Sequence, residues 1–371
     1  MRLIPSLSLS LLFASSLSFA EPAASLKDTF ASTFQMGTAL DHTFLENLEN
    51  PAFDIVETHF QILTATNAMK WEPTQPENGK FDFTQADTLV RYAKEGGFEM
   101  VGHTLFWHSQ APDWIFEDEN GEEVDRETLL ERMRDRARMM AARYGDFVKI
   151  WDVVNESIEN DGSWRESKFH KIIGDDFTEQ GFRIAMEELP ADAKLLYNDY
   201  GMTNAGRRDA VVRMVKDFQA KGVRIDGIGM QGHWGMDYPS TEDLEASLDA
   251  FASTGLPIHI TELDVDFLGK DNLAGANIGR KKLVANSQNN LYPSGVLPAE
   301  EEERFAERYG EIFEILVRNA EKIDRVTFWG VTDKDSWLNN FPVRGRTNFS
   351  LLFNRANEAR PALKAVVETA E

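Results

Sequence analysis

The chain has 371 residues, and 42% of them are hydrophobic, so it can bury a large core as one domain. Its formal net charge of −23 argues against nucleic acid or an anionic membrane as a partner, because both attract clustered Lys and Arg. The lack of Cys excludes disulfides and thiolate metal sites. An uncharged ligand fits this composition best.

The first twenty residues have the pattern of a secretory signal peptide. One charged residue, Arg2, precedes an apolar and Ser-rich run that ends in the small-x-small sequence Ser18-Phe19-Ala20. The Ser residues leave this run too short and too polar for a transmembrane helix, which needs about 20 consecutive apolar residues. We expect cleavage after Ala20, a secreted or periplasmic location, no membrane contact afterwards, and one domain over residues 21–371.

Eight short runs rich in β-branched and aromatic residues follow along the chain, separated by helix-length segments. This alternation is typical of βα units in a parallel sheet, and eight such units close a (β/α)8 TIM barrel. The predicted strands are residues 34–40, 59–66, 98–107, 149–156, 194–200, 227–233, 257–265 and 325–331. The predicted helices include residues 126–142, 206–220, 241–253 and 299–319. No linker separates a second module, so the sequence predicts a single α/β domain.

Polar residues interrupt the predicted strands near their C-terminal ends, where an α/β barrel builds its active site. Any one of them could simply cap a loop, but their occurrence on most strands indicates one shared site. The longest segment without periodicity, residues 267–297, also begins at this end of the barrel. The strand-end residues are Asn67, Lys70, His103, His108, Asn155, Glu156, Asn198, Asp199, Gln231, His233, Glu262 and Asp264.

Two of these residues are glutamates whose positions predict glycoside hydrolysis. Glu156 closes predicted strand four, and Glu262 lies in predicted strand seven after apolar β sequence. In such a reaction one carboxyl group is protonated to assist the leaving oxygen, and the other is ionised to attack the anomeric carbon. We expect burial beside a negative charge to keep Glu156 protonated, and a hydrogen bond from His233 to keep Glu262 ionised.

Aromatic residues flank these carboxylates, and their mixture with Asn, Gln, Lys and His is typical of a sugar site. The C–H faces of a sugar stack on aromatic rings, while its hydroxyl groups need paired donors and acceptors. Core packing is the alternative explanation for any single Trp. The flanking residues are Trp71, Trp107, Trp234, Trp329 and Trp337.

Motifs for other chemistries are absent or lie in the wrong context. The GxGxxG match at residues 227–232 lies inside predicted strand six and precedes no helix start, so it does not predict a dinucleotide site. The sequence contains no HExxH, GxSxG or Walker motif. We therefore expect no cofactor and no metal.

Six segments make the chain resemble glycoside hydrolase family 10, the endo-1,4-β-xylanase family, over nearly all of the expected mature protein. Two strand-end glutamates alone would fit a broader clan that includes cellulases, mannanases and β-glucosidases, and the HTLxWHSQ and DxDSW sequences narrow the resemblance. The segments are GHTLFWHSQAPDW at residues 102–114, WDVVNE at 151–156, YNDY at 197–200, QGH at 231–233, ITELDV at 260–265 and WGVTDKDSW at 329–337.

The resemblance implies a role for each matching residue. Glu156 would be the acid/base, Glu262 the nucleophile, and Asn155 a hydrogen-bond partner of the 2-hydroxyl of the sugar being cleaved. His233 would support Glu262, and a cis peptide would follow His103. The implied substrate-binding residues are His103, Trp107, Gln231 and Trp329 next to the scissile bond, and Asn67, Lys70, Gln110 and Trp337 one sugar further out.

The implied activity is endo-acting hydrolysis of β-1,4-xylosidic bonds in xylan or xylooligosaccharides, with retention. Separately, we expect a monomer. A retaining β-1,4-glucanase, a mixed xylanase/glucanase and a non-catalytic xylan-binding barrel are the alternatives, and the two intact glutamates speak against the last. One residue departs from the family pattern, because Thr66 stands where the family usually has Glu. This departure predicts weaker binding at the distal glycone subsite.

Overall fold

Eight parallel β-strands close into the predicted barrel. They belong to a computed structural model, which describes residues 24–269 and 283–370. The strands are β1 (Gln35–Leu40), β2 (Ile62–Ala65), β3 (Glu99–Trp107), β4 (Ile150–Asn155), β5 (Lys194–Asp199), β6 (Gly227–Met230), β7 (Ile258–Asp266) and β8 (Ile323–Phe328). Each strand pairs with the next, and β8 also pairs with β1, which closes the sheet. The predicted (β/α)8 TIM barrel is therefore confirmed.

The predicted strand six is interrupted where the sequence suggested one continuous run. Gly232 has a φ of 81°, and a Cβ there would lie 2.9 Å from the Ile260 side chain. The chain therefore leaves β6 after Met230 and resumes as a short strand, His233–Gly235, beside the C-terminal half of β7. A second short pair joins Leu283–Val284 to Val343–Arg344 outside the barrel.

Helices fill the segments between the strands, and each of the four predicted helices is present within two residues of its expected ends. Capping explains two of their starts, because Asp125 accepts a hydrogen bond from the Thr128 N–H and Ser240 accepts one from the Asp243 N–H. The helices are α1 (Leu26–Thr29), α2 (His42–Glu46), α3 (Phe53–His59), α4 (Trp71–Thr74), α5 (Thr84–Gly96), α6 (Arg126–Tyr144), α7 (Lys168–Ile173), α8 (Phe177–Glu188), α9 (Ala205–Ala220), α10 (Thr241–Ala252), α11 (Ala299–Arg318) and α12 (Pro361–Glu368). Within the two described ranges, none of them combines the length and apolar character that crossing a membrane requires.

The barrel interior changes from apolar to polar along the strands. Ile62, Val101, Ile150 and Leu196 form a small buried cluster that is separate from the main core between sheet and helices. Two residues further along their strands, on the same face, stand buried polar residues such as His103, Asp152 and Asn198. This polar layer lies at the C-terminal ends of the strands.

Two predictions fall partly or wholly outside the described residues. The expected signal peptide, residues 1–20, lies wholly outside them, and the segment 267–297 is described only up to residue 269 and from residue 283.

Candidate active site

The strand ends bring the twelve residues assigned to catalysis or sugar binding into one group that direct contacts connect, with Asn198 joining the contacts of Glu262 to those of Asn155. The group combines two carboxylates with amides, imidazoles, a lysine and three indoles. Its members are Asn67, Lys70, His103, Trp107, Gln110, Asn155, Glu156, Gln231, His233, Glu262, Trp329 and Trp337.

Glu262 lies inside β7, and its side chain is buried. Its Oε1 accepts a hydrogen bond from Asn198 Nδ2 at 2.8 Å, and its Oε2 lies 3.2 Å from His233 Nε2. Burial alone would raise the pKa of Glu262, but the hydrogen bond from His233 and the electrostatic influence of His103, His233 and Lys70 lower it below its usual value. Glu262 is therefore ionised at neutral pH.

His233 stands between two carboxylates. Its Nδ1 is 3.0 Å from Asp264 Oδ1, and the second oxygen of Asp264 accepts a hydrogen bond from Trp337 Nε1 at 2.7 Å. Burial would lower the pKa of His233, but the charges and hydrogen bonds of Asp264 and Glu262 raise it to about 10. The ring is therefore an imidazolium at neutral pH and donates to both carboxylates.

Glu156 is the first residue after β4, and its backbone is left-handed, with a φ of 60°. Its side chain is partly buried and accepts three hydrogen bonds from neutral donors, the longest of them from Asn155 Nδ2 at 3.3 Å. Trp107 Nε1 donates to Oε2 at 2.9 Å, and Gln231 Nε2 donates to Oε1 at 3.0 Å. No charged side chain hydrogen-bonds this carboxyl group among the described residues.

Two carboxamides link the surroundings of the two glutamates. Asn198 Nδ2, which donates to Glu262, also donates to Asn155 Oδ1 at 3.0 Å, and Thr261 Oγ1 fixes Asn198 by donating to its oxygen at 2.6 Å. Asn155 Nδ2 in turn lies 3.3 Å from Glu156 Oε1. Reversing the Asn155 amide would let its nitrogen donate to Asn198 O at 3.1 Å and its oxygen accept from Trp107 Nε1 at 3.3 Å, but it would also set that nitrogen 3.0 Å from Asn198 Nδ2, which places two donors against each other.

Lys70, Asn67 and Gln110 form the edge of the group beside β2 and β3. Asn67 Oδ1 accepts from Lys70 Nζ and from Gln110 Nε2, each at 2.9 Å, and Lys70 Nζ lies 4.3 Å above the Trp107 ring. Burial lowers the pKa of Lys70 to about 8, although the charges of Glu262 and Glu156 oppose this fall. Lys70 is thus close enough to both carboxylates to feel their charge.

His103 and Trp329 contact each other within the group, because their rings meet edge to face with centroids 5.3 Å apart. His103 Nδ1 also lies 2.8 Å from Asp152 Oδ2. The His103–Thr104 peptide is cis, as the family resemblance implies. Asp152 was missed as a site residue, although a charge inside the otherwise apolar run KIWDVV was the signal that could have found it.

Other residues near the site differ from their sequence-based interpretation. Trp71 belongs to the core, where it is 3% exposed and its Nε1 donates to Gln75 Oε1 at 3.2 Å. Arg165 and Tyr197 contact the backbone around Glu156 and were not selected as site residues. The YNDY segment pointed to Tyr197, whereas Arg165 lies in a loop without a motif.

The arrangement suits a reaction in which one carboxylate attacks while another exchanges a proton. An ionised glutamate beside an imidazolium can act as a nucleophile, and a glutamate held by neutral donors can change its protonation state without breaking an ion pair. Residues 24–269 and 283–370 contain no group of three or more His, Asp or Glu side chains placed to hold a metal ion.

Comparison with known proteins decides the family. The family model described as Glycosyl hydrolase family 10 matches residues 25–369. The chain belongs to this family. Among its family 10 relatives, endo-1,4-β-xylanase A of Xylanibacter ruminicola is 39% identical over 353 residues, covering 95% of each chain. A thermostable celloxylanase of Thermoclostridium stercorarium is 36% identical and covers 94% of this chain and 88% of its own length.

The solved structures agree with this family 10 assignment. A GH10 endoxylanase from a sugarcane soil metagenome superimposes with a TM-score of 0.87 and 37% identity, over 94% of this chain and all of the other. This family 10 chain thus resembles that enzyme in both its sequence and its barrel along almost its whole length.

Proposed function

We propose that this protein is an endo-1,4-β-xylanase that hydrolyses xylan or xylooligosaccharides with retention, using Glu262 as nucleophile and Glu156 as acid/base. The observation that carries the proposal is the contrast between the two carboxyl groups, one ion-paired with His233 and the other held by neutral donors. The names of its relatives, which are endo-1,4-β-xylanases at 39% identity, support the choice of substrate.

The mechanism follows from these two roles. In the first step Glu262 attacks the anomeric carbon, while Glu156 gives its proton to the departing sugar oxygen, so that a glycosyl–enzyme forms. In the second step Glu156, now a carboxylate, takes a proton from water as the water attacks that carbon and Glu262 leaves. Two inversions at one carbon give a product with the original β configuration.

Polar and aromatic neighbours would position the sugar chain. We assign Asn155 to the 2-hydroxyl of the reacting sugar and His233 to the support of Glu262. Connected contacts support one continuous binding surface. The sugar-binding residues next to the scissile bond are His103, Trp107, Gln231 and Trp329, and those one sugar further are Asn67, Lys70, Gln110 and Trp337.

Azide rescue tests the two catalytic assignments separately. Glu156→Ala should still form the glycosyl–enzyme from a substrate with a good leaving group, and azide should then attack it and give the β-glycosyl azide. Glu262→Ala cannot form that intermediate, so azide should enter the vacated space and give the α-glycosyl azide. The opposite pair of products would reverse the assignment, and near-wild-type activity of either variant on xylan would remove that residue from catalysis.

A mixed xylanase/glucanase is the second candidate, because one relative is named a celloxylanase. A glucan differs from xylan by a 6-hydroxymethyl group on each sugar, which needs additional room. Comparing kcat/KM on xylohexaose and cellohexaose separates the candidates, since similar values would favour the mixed activity. Binding of both chains without any turnover would instead indicate a non-catalytic barrel.

We also propose that the protein is exported and acts as a monomer formed by residues 21–371. The sequence of residues 1–20 supports export, and the barrel holds all site residues within one chain. Mass spectrometry of the exported protein should give an N-terminus at Glu21, and light scattering should give the mass of one chain. Retention of Met1 in the cytoplasm would contradict export.

A further inference from the structure

The backbone at Glu156 adopts a conformation that only outside contacts can maintain. Glu156 has a φ of 60°, in the left-handed region that non-glycine residues seldom occupy. Such a conformation persists only where neighbouring groups determine it. Because the side chain leaves the backbone at this residue, the contacts that fix the φ angle also fix where the Glu156 carboxyl group points.

Three hydrogen bonds hold the backbone on either side of this residue. The Glu156 N–H donates to Asn198 O at 2.9 Å, and Glu156 O accepts from Arg165 Nε at 2.8 Å. The next N–H, of Ser157, donates to the hydroxyl oxygen of Tyr197 at 3.2 Å. Two of the three partners are therefore side chains, and neither of them hydrogen-bonds the Glu156 carboxyl group.

The Tyr197 hydroxyl belongs to a buried chain of groups, here called the hydroxyl chain, in which every member donates in the same direction. Thr178 Oγ1 donates to Ser157 Oγ at 2.9 Å, Ser157 Oγ donates to the Tyr197 hydroxyl at 3.2 Å, and Tyr197 donates to Asp199 Oδ2 at 2.6 Å. A hydroxyl group has one hydrogen and two lone pairs. The hydrogen of the Tyr197 hydroxyl is donated to Asp199, so its two lone pairs are available to accept from the Ser157 N–H and O–H.

We propose that Tyr197, oriented by Asp199, is a positioning residue for Glu156, and that Arg165 has the same role from the opposite side. This inference rests on the proposed acid/base role of Glu156. Loss of the Tyr197 hydroxyl leaves the Ser157 N–H and O–H without an acceptor in a buried place, since Ser157 is 6% exposed and Tyr197 is fully buried. The left-handed turn then relaxes and moves the Glu156 carboxyl group away from the leaving oxygen.

The dependence of activity on the leaving group tests this role, because a general loss of protein stability would lower activity on all substrates alike. For Tyr197→Phe, kcat/KM on xylohexaose should fall about tenfold to hundredfold, a part of the roughly 10²–10⁴ that acid–base catalysis contributes. On 2,4-dinitrophenyl β-xylobioside, which needs little protonation, the first phenolate burst should stay within about threefold of wild type. Azide should accelerate the steady-state turnover of this aryl xylobioside. The KM for the aryl xylobioside should fall because the glycosyl–enzyme accumulates.

Tyr144→Phe is the matched control, because Tyr144 is also buried and its hydroxyl donates to a carboxylate, Asp87, at 2.8 Å. It should lose stability without any leaving-group or azide dependence. The proposal would be overturned if Tyr197→Phe lowered activity on both substrates by the same factor. Glu156→Ala, measured alongside, tells the two failures apart, since a Glu156→Ala variant without azide rescue would refute the acid/base assignment itself.

Arg165→Met tests the opposite side and serves if Tyr197→Phe does not fold. Arg165 is partly exposed, and Met removes the donor to Glu156 O. The same leaving-group pattern is expected. Its control is Arg224→Met, because Arg224 also donates to backbone carbonyls, those of Ala191 and Ala193, at the N-terminal end of β5. An Arg165→Met variant that behaves like Arg224→Met would overturn the positioning role.

Discussion

The two glutamates lie at the same end of the barrel but in different surroundings. Glu262 is built into β7, 4% exposed, and paired with the His233 imidazolium. Glu156 follows β4, is more exposed, and accepts hydrogen bonds from the neutral side chains of Trp107, Gln231 and Asn155. The comparison teaches that a carboxyl group that stays ionised and one that exchanges a proton need different neighbours. An ion pair keeps the first ionised, whereas neutral donors allow the second to change its protonation state.

His233→Asn should have the largest effect on this contrast, because it removes the charged partner of Glu262. A hydrogen bond to a charged group contributes about 1.5–3 kcal/mol, so kcat/KM on xylan should fall roughly tenfold to hundredfold. Glu262 must be ionised to act as the proposed nucleophile, and loss of the positive neighbour raises its pKa. The acidic limb of the pH–rate profile should therefore move to higher pH.

The matched control for His233→Asn is His170→Asn. His170 also pairs with a carboxylate, since its Nε2 lies 3.0 Å from Asp175 Oδ1, but it lies on α7 outside the site group. The control should keep the wild-type pH profile. An unmoved acidic limb in His233→Asn would mean that other donors, such as Asn198, suffice to keep Glu262 ionised.

Trp107→Phe should have a smaller effect, because it removes one neutral donor to Glu156 and keeps an aromatic ring beneath Lys70. Such a hydrogen bond contributes about 0.5–1.5 kcal/mol, so kcat/KM on xylohexaose should fall roughly twofold to tenfold. The acidic limb should not move. Trp114→Phe is the control, since its Nε1 donates to the Gln75 carbonyl instead. A shift of the limb as large as that of His233→Asn would erase the distinction between the two supports.

Thr66→Glu should have the smallest effect and should improve activity. Thr66 directly follows β2, and its hydroxyl donates to Leu40 O at 3.3 Å, so it offers no charge to a sugar. A carboxylate there should raise kcat/KM on xylotriose and longer chains by about twofold to fivefold, since part of the hydrogen-bond energy is spent on ordering the new side chain. Aryl xylosides with a single sugar should not respond. No change, or a loss, would indicate that Thr66 serves a different substrate group.

The regular parts of the fold were predictable because they repeat. Eight apolar runs alternating with amphipathic stretches specify eight βα units. The observed strands differ from the predicted ones mainly in where they begin and end. The break at Gly232 was not predictable from composition, because it depends on the left-handed turn and on the nearby Ile260 side chain. Asp152 was missed for a related reason, since its partner His103 lies 49 residues away on a neighbouring strand.

The sequence by itself determined the order of the strands and therefore the set of side chains delivered to their C-terminal ends. A parallel barrel brings those ends together whatever the details, so Glu156 and Glu262 had to share one face. Only the tertiary structure decided their states. His233 and Asp264 are 31 residues apart, and Ser157 and Tyr197 are 40 apart, yet each pair makes a hydrogen bond. Such contacts depend on strand register and on distances of a few tenths of an ångström, which periodicity does not encode.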